Sequence, residues 1–243
     1  MKGEFIDLTM IDGQTLHAYR ALPPSGHGPA VVVLQEIFGV NEAMRSVADD
    51  LAEQGYVALV PDVFWRLQPG VELGYGEEDS RTAFGLWQRF DLAQGVDDVV
   101  KVIQAVRARD EVQGGVGLLG FCLGGQLTVK VAAKVKVDAA VCFYGTRLGD
   151  SLEEIAAIDA PTLFHFGSAD PHVPAEVREA VSRVAQTQPH MRVNVYPQAV
   201  HGFFNAFRES SFHVEAHRQA WLDSLNLLRE ALFDFPQTSA VGH

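Results

Sequence analysis

The chain has 243 residues, 47% of them hydrophobic and 21% charged, enough for one domain spanning 1–243 with a sizeable core. A formal charge of −12, from 19 basic and 31 acidic residues, argues against binding nucleic acid or an anionic membrane, though local arginines could still receive an anionic small molecule. Two cysteines do not make a disulfide framework, MKGEFIDLTMIDGQ is too charged for a secretory leader, and no apolar run reaches the roughly 18–20 residues of a bilayer span, so the expectation is a cytoplasmic protein with free thiols, a monomer or small homo-oligomer.

EFIDLTM and QTLHAYRAL read as two strands around Asp12-Gly13, a hairpin signal. AVVVLQ (30–35) is a β-branched run suited to a strand buried on both faces. Asn41 precedes EAMRSVADDLAEQ and Gly55 follows it, the marks of a helix with both ends capped. YVALV (56–60) is the next strand, stopped by Pro61, and residues 62–80 lack a period and read as a long loop. SRTAFGLWQRF and VDDVVKVIQAVRAR look helical, GVGLLG is a strand, and GGQLTVKVAAKV is a helix. VDAAVCFYG and PTLFHFG are further strands, PAEVREAVSRVAQT is a helix opened by its proline, and MRVNVYP is the last strand. Residues 210–232 form a closing helix, and 235–243 read as a loosely held tail. This alternation implies an α/β fold: a mostly parallel, doubly wound sheet with helices on both faces and functional loops at the carboxyl ends of its strands.

One strand end holds a cysteine among glycines. Gly120-Phe121-Cys122-Leu123-Gly124 has the form Gly-x-nucleophile-x-Gly between a strand and a helix. Most free cysteines are small buried hydrophobes, and Cys142, inside AAVCFYG, fits that description. At a strand-to-helix elbow the balance reverses, because the glycines relieve collisions, the amide of Leu123 is left for an oxyanion, and the helix N-terminus favours thiolate. A nucleophile needs a base and a group that orients the base. Asp170 follows PTLFHFG and His201 follows MRVNVYP, so both fall on the same sheet edge as Cys122, in the order nucleophile, acid, histidine. Asp170 alone could be a turn or cap residue, and His201 alone an ordinary loop histidine. His213 and His217, four apart on a helix, make only a weak metal motif without a third ligand.

Several stretches, QEIFGVNEAMR, GYVALVPDVF, LWQRFD, GFCLGGQL, FHFGSADPHVP and AVHGF, together resemble the dienelactone hydrolase family (carboxymethylenebutenolidases) of α/β-hydrolases, over about Asp12 to Leu232. The resemblance implies hydrolysis of a lactone or ester by Cys122, His201 and Asp170, with no metal or organic cofactor. It further implies that Glu36 contacts the resting thiol and takes its proton, and that the amides of Ile37 and Leu123 form the oxyanion hole. Substrate contacts implied by the family map onto Arg81, Phe84, Trp87, Asn205 and Arg208, with departures. Arg81 stands one residue close to Trp87, Phe84 replaces an aromatic hydroxyl, Gly202 replaces a serine, and Asn205 stands where a second arginine is expected. A general carboxylesterase or thioesterase of the same fold stays open, as does a non-catalytic ligand-binding protein.

Overall fold

A computed structural model describes residues 2–233, so the 235–243 tail expectation lies outside the described residues. Among them, eight strands form one sheet in the order β1-β2-β4-β3-β5-β6-β7-β8. The strands are β1 (Glu4–Thr9), β2 (Thr15–Ala21), β3 (Gly28–Leu34), β4 (Val57–Pro61), β5 (Val112–Phe121), β6 (Ala139–Phe143), β7 (Thr162–Gly167) and β8 (Met191–Tyr196). β1 and β2 are antiparallel neighbours and β2 pairs antiparallel with β4; from β4 to β8 every pairing is parallel.

The apolar runs are explained by burial on both faces. Val32 and Leu34 of β3 face one core with Leu118 of β5, while Val31 and Val33 face the other with Leu119. The first core is closed by α3 (Leu92–Arg107), α4 (Leu123–Lys134), α5 (Leu152–Ala156) and α6 (Ala175–Gln186), and the second by α1 (Glu42–Glu53) and α7 (Val214–Leu232). Each layer removes a continuous apolar stripe from water, the dominant favourable term in folding. His165 of β7 is a core residue: its ring bridges Tyr196 Oη and Ser224 Oγ, and burial lowers its pKa to about 3. No described helix is long and apolar enough to cross a membrane.

Helix ends differ from expectation where local chemistry competes with periodicity. Asn41 caps α1 as expected, accepting from Met44 N, and Gly55 adopts φ 98° beyond it. The 62–80 loop is shorter than its composition suggests, because α2 (Glu77–Arg89) begins inside it with three acids in its first turn. α3 starts four residues ahead of VDDVV, since Asp91 accepts from Gln94 N and Gly95 packs under the Phe90 ring, where a Cβ would clash. Pro174 is the cap of α6 rather than its first residue, and α7 begins at Val214 with His213 as its cap. The short α5, preceded by a 3-10 turn at Leu148–Ser151, has no counterpart in the sequence reading.

Topology selects the site. The chain moves from β3 outward to β4, then returns to place β5 on the other side of β3. The carboxyl ends of β3 and β5 therefore flank the crevice where connections diverge, the usual ligand position in open parallel sheets. Glu36 and Ile37 follow β3; Cys122 follows β5.

Candidate active site

Cys122 sits at φ 54°, ψ −111°, a conformation that side chains rarely adopt, between β5 and α4. The flanking glycines are required by space: a Cβ on Gly120 would meet Gly124 O and Thr128 Oγ1, and one on Gly124 would meet Leu34 O and Gln35 O. The turn is tied into the sheet on both sides. Cys122 N donates to Phe143 O (3.0 Å) and Gly124 N to Gln35 O (3.0 Å). These bonds hold the strained turn in place, which is how such conformations persist.

Asp170 is buried just past β7. Its Oδ1 accepts from the backbone N–H of His172 (2.7 Å) and Val173 (3.3 Å), and its Oδ2 accepts from Nδ1 of His201 (2.8 Å). A carboxylate only accepts, so Nδ1 carries the proton and Nε2 is the nitrogen left for the sulfur. His201 is wedged between the rings of Tyr144 (4.9 Å) and His172 (4.7 Å), both edge-on. Burial alone would push His201 down. The charge on Cys122, hydrogen bonds to Asp170 and Cys122, and the Asp170 carboxylate outweigh it and raise the imidazole from 6.5 to about 10.

A pH dependence with a definite sign follows. The folded-state value lies above the unfolded one, so the stabilisation from imidazolium is complete below about pH 6.5 and is lost as pH rises through about 10. The wild-type melting temperature is expected to fall across that window more steeply than that of His201→Gln. Parallel curves in a thermal-melt series would show that the charged pair does not stabilise the fold.

Glu36 is 2% exposed at the end of β3. Its Oε1 accepts from Tyr144 Oη (3.2 Å), and its Oε2 accepts from Tyr75 Oη (3.3 Å) and Asn205 Nδ2 (3.2 Å). Three neutral donors thus satisfy the carboxylate, and the expected hydrogen bond between Glu36 and the resting thiol is not among its contacts. The amide of Leu123 opens α4 and has no acceptor inside the helix; that of Ile37 has none among the described residues.

These groups line a cavity of about 290 Å³. Ile37, Phe38, Phe84 and Trp87 form an apolar wall, with Phe84 and Trp87 in tilted contact at 5.1 Å. Ser80, Thr146, His172 and Arg208 supply polar groups around Glu36, Cys122 and His201. Burial lowers His172, and the charges of His201 and Arg208 lower it further against the pull of Asp170.

Two of the expected substrate contacts need correction. Arg81 does not reach the cavity: its side chain is 72% exposed and pairs with Glu77 at 3.7 Å. Ser80, Phe84 and Trp87 recur at helical spacing on the cavity side of α2, and the next residue around the helix points away. Asn205 is buried behind the wall, where it donates to Glu36 and Tyr75 rather than lining the cavity. Arg208 does line it. Its guanidinium has no ion-pair partner among the described residues and lies over Gly202, where a Cβ would come within 3.3 Å of Nη1.

Tyr75, Tyr144, Thr146 and His172 were missed from sequence. Tyr144 and Thr146 lie just past β6, and His172 is two residues past Asp170, so strand-end position could have flagged them; Tyr75 gave no signal. His213 Nδ1 accepts from Ala216 N and His217 Nδ1 bonds Phe204 O, so neither faces the cavity. Among the described residues no group of three His, Cys, Asp or Glu is placed to hold a metal.

The model of the dienelactone hydrolase family matches residues 16–232. The carboxymethylenebutenolidase of Pseudomonas putida is 40% identical over 204 residues, 84% of this chain and 86% of that protein. That of Pseudomonas sp. strain P51 is 34% identical over 230 residues, 94% and 96% of the two chains. The crystal structure of a Klebsiella pneumoniae protein assigned as a dienelactone hydrolase superposes with a TM-score of 0.82 at 28% identity, covering 94% of this chain and 98% of that one.

Proposed function

The chain belongs to the dienelactone hydrolase family and is a hydrolase of ester or lactone bonds, and we propose that it cleaves them through a cysteinyl thioester. The observation that carries this reading is the convergence of Cys122, His201 and Asp170, with the Nδ1–Oδ2 bond at 2.8 Å and Cys122 and His201 lining one cavity. The Cys122 thiolate attacks the ester carbonyl carbon, and the carbonyl oxygen becomes an oxyanion received by the amides of Ile37 and Leu123. The tetrahedral adduct collapses with loss of the alkoxide or enolate, which takes a proton from His201 Nε2. Water, losing its proton to His201, then attacks the thioester and releases acid and thiolate. During activation the thiol proton passes to His201 Nε2, the Glu36 carboxylate on the same cavity assisting its departure, so the proton later given to the leaving group is the one the sulfur lost. Because thiolate leaves more readily than an amine, adducts with amides revert, and esters with stabilised leaving groups are favoured.

The substrate is a conjugated lactone or enol ester that lies along Phe84 and Trp87 and directs a carboxylate to Arg208, the cavity's unpaired cation. A panel of matched esters with and without a carboxylate tests this. Arg208→Met is expected to raise KM about tenfold for the acidic member and leave the neutral one within about twofold. Equal effects on both would favour the alternative, a general esterase of the same fold acting on neutral substrates.

A further inference from the structure

Glu36 is held by a hydroxyl whose direction is dictated by two amides. Asn41 Oδ1 accepts from Met44 N (3.3 Å) and Asn205 Oδ1 accepts from Phe207 N (3.0 Å). Those backbone donors fix which end of each side chain is oxygen, so each presents its NH2 to Tyr75 Oη: Asn41 Nδ2 at 3.0 Å and Asn205 Nδ2 at 2.6 Å. A phenol oxygen has two lone pairs and one proton. With both lone pairs taken, the proton has one place to go, Glu36 Oε2 at 3.3 Å. Asn205 spends its second N–H on the same oxygen (3.2 Å), and Asn41 spends its second on Leu73 O (2.9 Å).

The segment carrying Tyr75 is itself stitched to the loop after Glu36. Val40 N donates to Val71 O (2.9 Å), Leu73 N donates to Phe38 O (2.9 Å), and Gly39 bridges Glu72. Gly39, at φ 81°, lies so close to Val71 O that no Cβ fits. Arg45 closes the strap from α1 by bonding both Glu72 and Val40 O. Two residues beyond Tyr75, α2 begins and supplies the cavity wall.

We infer that Tyr75 is a positioning residue for thiol activation: its hydroxyl, forced into the donor role by Asn41 and Asn205, locks the Glu36 carboxylate in register with the strap and the substrate wall. This rests on the reading of Glu36 as the group that assists in activating the thiol. It assigns a task to a residue of the aperiodic 62–80 stretch, and it explains how a buried carboxylate is held without a cation. Three neutral donors stand where a buried carboxyl group would otherwise take a cation, and Glu36 lines the same cavity as Cys122.

The test is a mutant cycle read on acylation, from the burst of p-nitrophenolate with p-nitrophenyl acetate. Tyr75→Phe keeps the ring and its edge contact with Phe38 (4.7 Å) and removes the hydroxyl. It is expected to lower the acylation rate constant about tenfold while the apparent dissociation constant of the ester stays within about twofold. Asn205→Ala, which opens the clamp from the other side, gives the same split. Glu36→Gln lowers acylation by itself, and adding Tyr75→Phe to it brings no further loss, because the hydroxyl acts through the carboxylate. Losses that multiply, or a change confined to ester binding, overturn the role of Tyr75 while leaving that of Glu36. Wild-type acylation in Glu36→Gln overturns both. Should Tyr75→Phe fail to fold, the cycle of Asn205→Ala with Glu36→Gln decides by the same criteria.

Discussion

Cys122→Ala will lower p-nitrophenyl acetate hydrolysis by about 10,000-fold or more, with the melting temperature close to that of the wild type. The size follows from the role proposed for the sulfur, to form the bond that divides one difficult hydrolysis into two easier steps. What remains in the variant is the pair of amides and the apolar wall, which bind but do not attack. Stability should change little because the side chain is short and partly exposed and the strained φ of 54° persists with alanine. In the wild type, trapping at low pH should yield one acetyl group on the peptide containing Cys122 and none on that containing Cys142. The second thiol is fully buried, and burial raises it to about 12. Activity within about tenfold of wild type in Cys122→Ala would remove the thioester route.

Asp170→Asn should reduce turnover by roughly 10,000-fold, although the two side chains are nearly the same shape. Oδ1 accepts from two backbone N–H groups, His172 and Val173. In the variant those donors retain the amide oxygen, which leaves the NH2 facing Nδ1 of His201. Nδ1 must then accept, the ring proton moves to Nε2, and the nitrogen facing the sulfur can no longer take its proton. The amide also removes the carboxylate charge that helps raise His201 toward 10. A steady-state assay across pH 6–9 checks this. A loss of less than about tenfold at every pH would mean that Asp170 does not set the tautomer.

The strands of the sheet's middle were legible because burial on two faces leaves uninterrupted apolar runs such as AVVVLQ. The meeting of Cys122, Asp170 and His201 was legible for a related reason: parallel strands bring all their carboxyl ends to one edge, so order along the chain becomes adjacency in space. Partners set by side-chain direction were not legible. Asn205 reaches Glu36 across 169 positions of chain, and nothing local records it. Arg81 came from the family resemblance, one residue off the expected spacing to Trp87, and that single residue turns its side chain about 100° around α2, away from the cavity and onto Glu77.

Phe84 and Trp87 of the cavity's apolar wall are carried by a helix that buries only Ala83 and Leu86 of its own thirteen residues. The reactive turn, by contrast, is anchored to β3 and β6 in the interior of the sheet. On the proposed function, choice of substrate and bond-breaking chemistry thus reside in parts of the molecule with very different tolerance to change. Exchanging Phe84 or Ser80 is expected to cost little folding energy, so substrate preference can be altered on one surface helix without disturbing the turn beneath it.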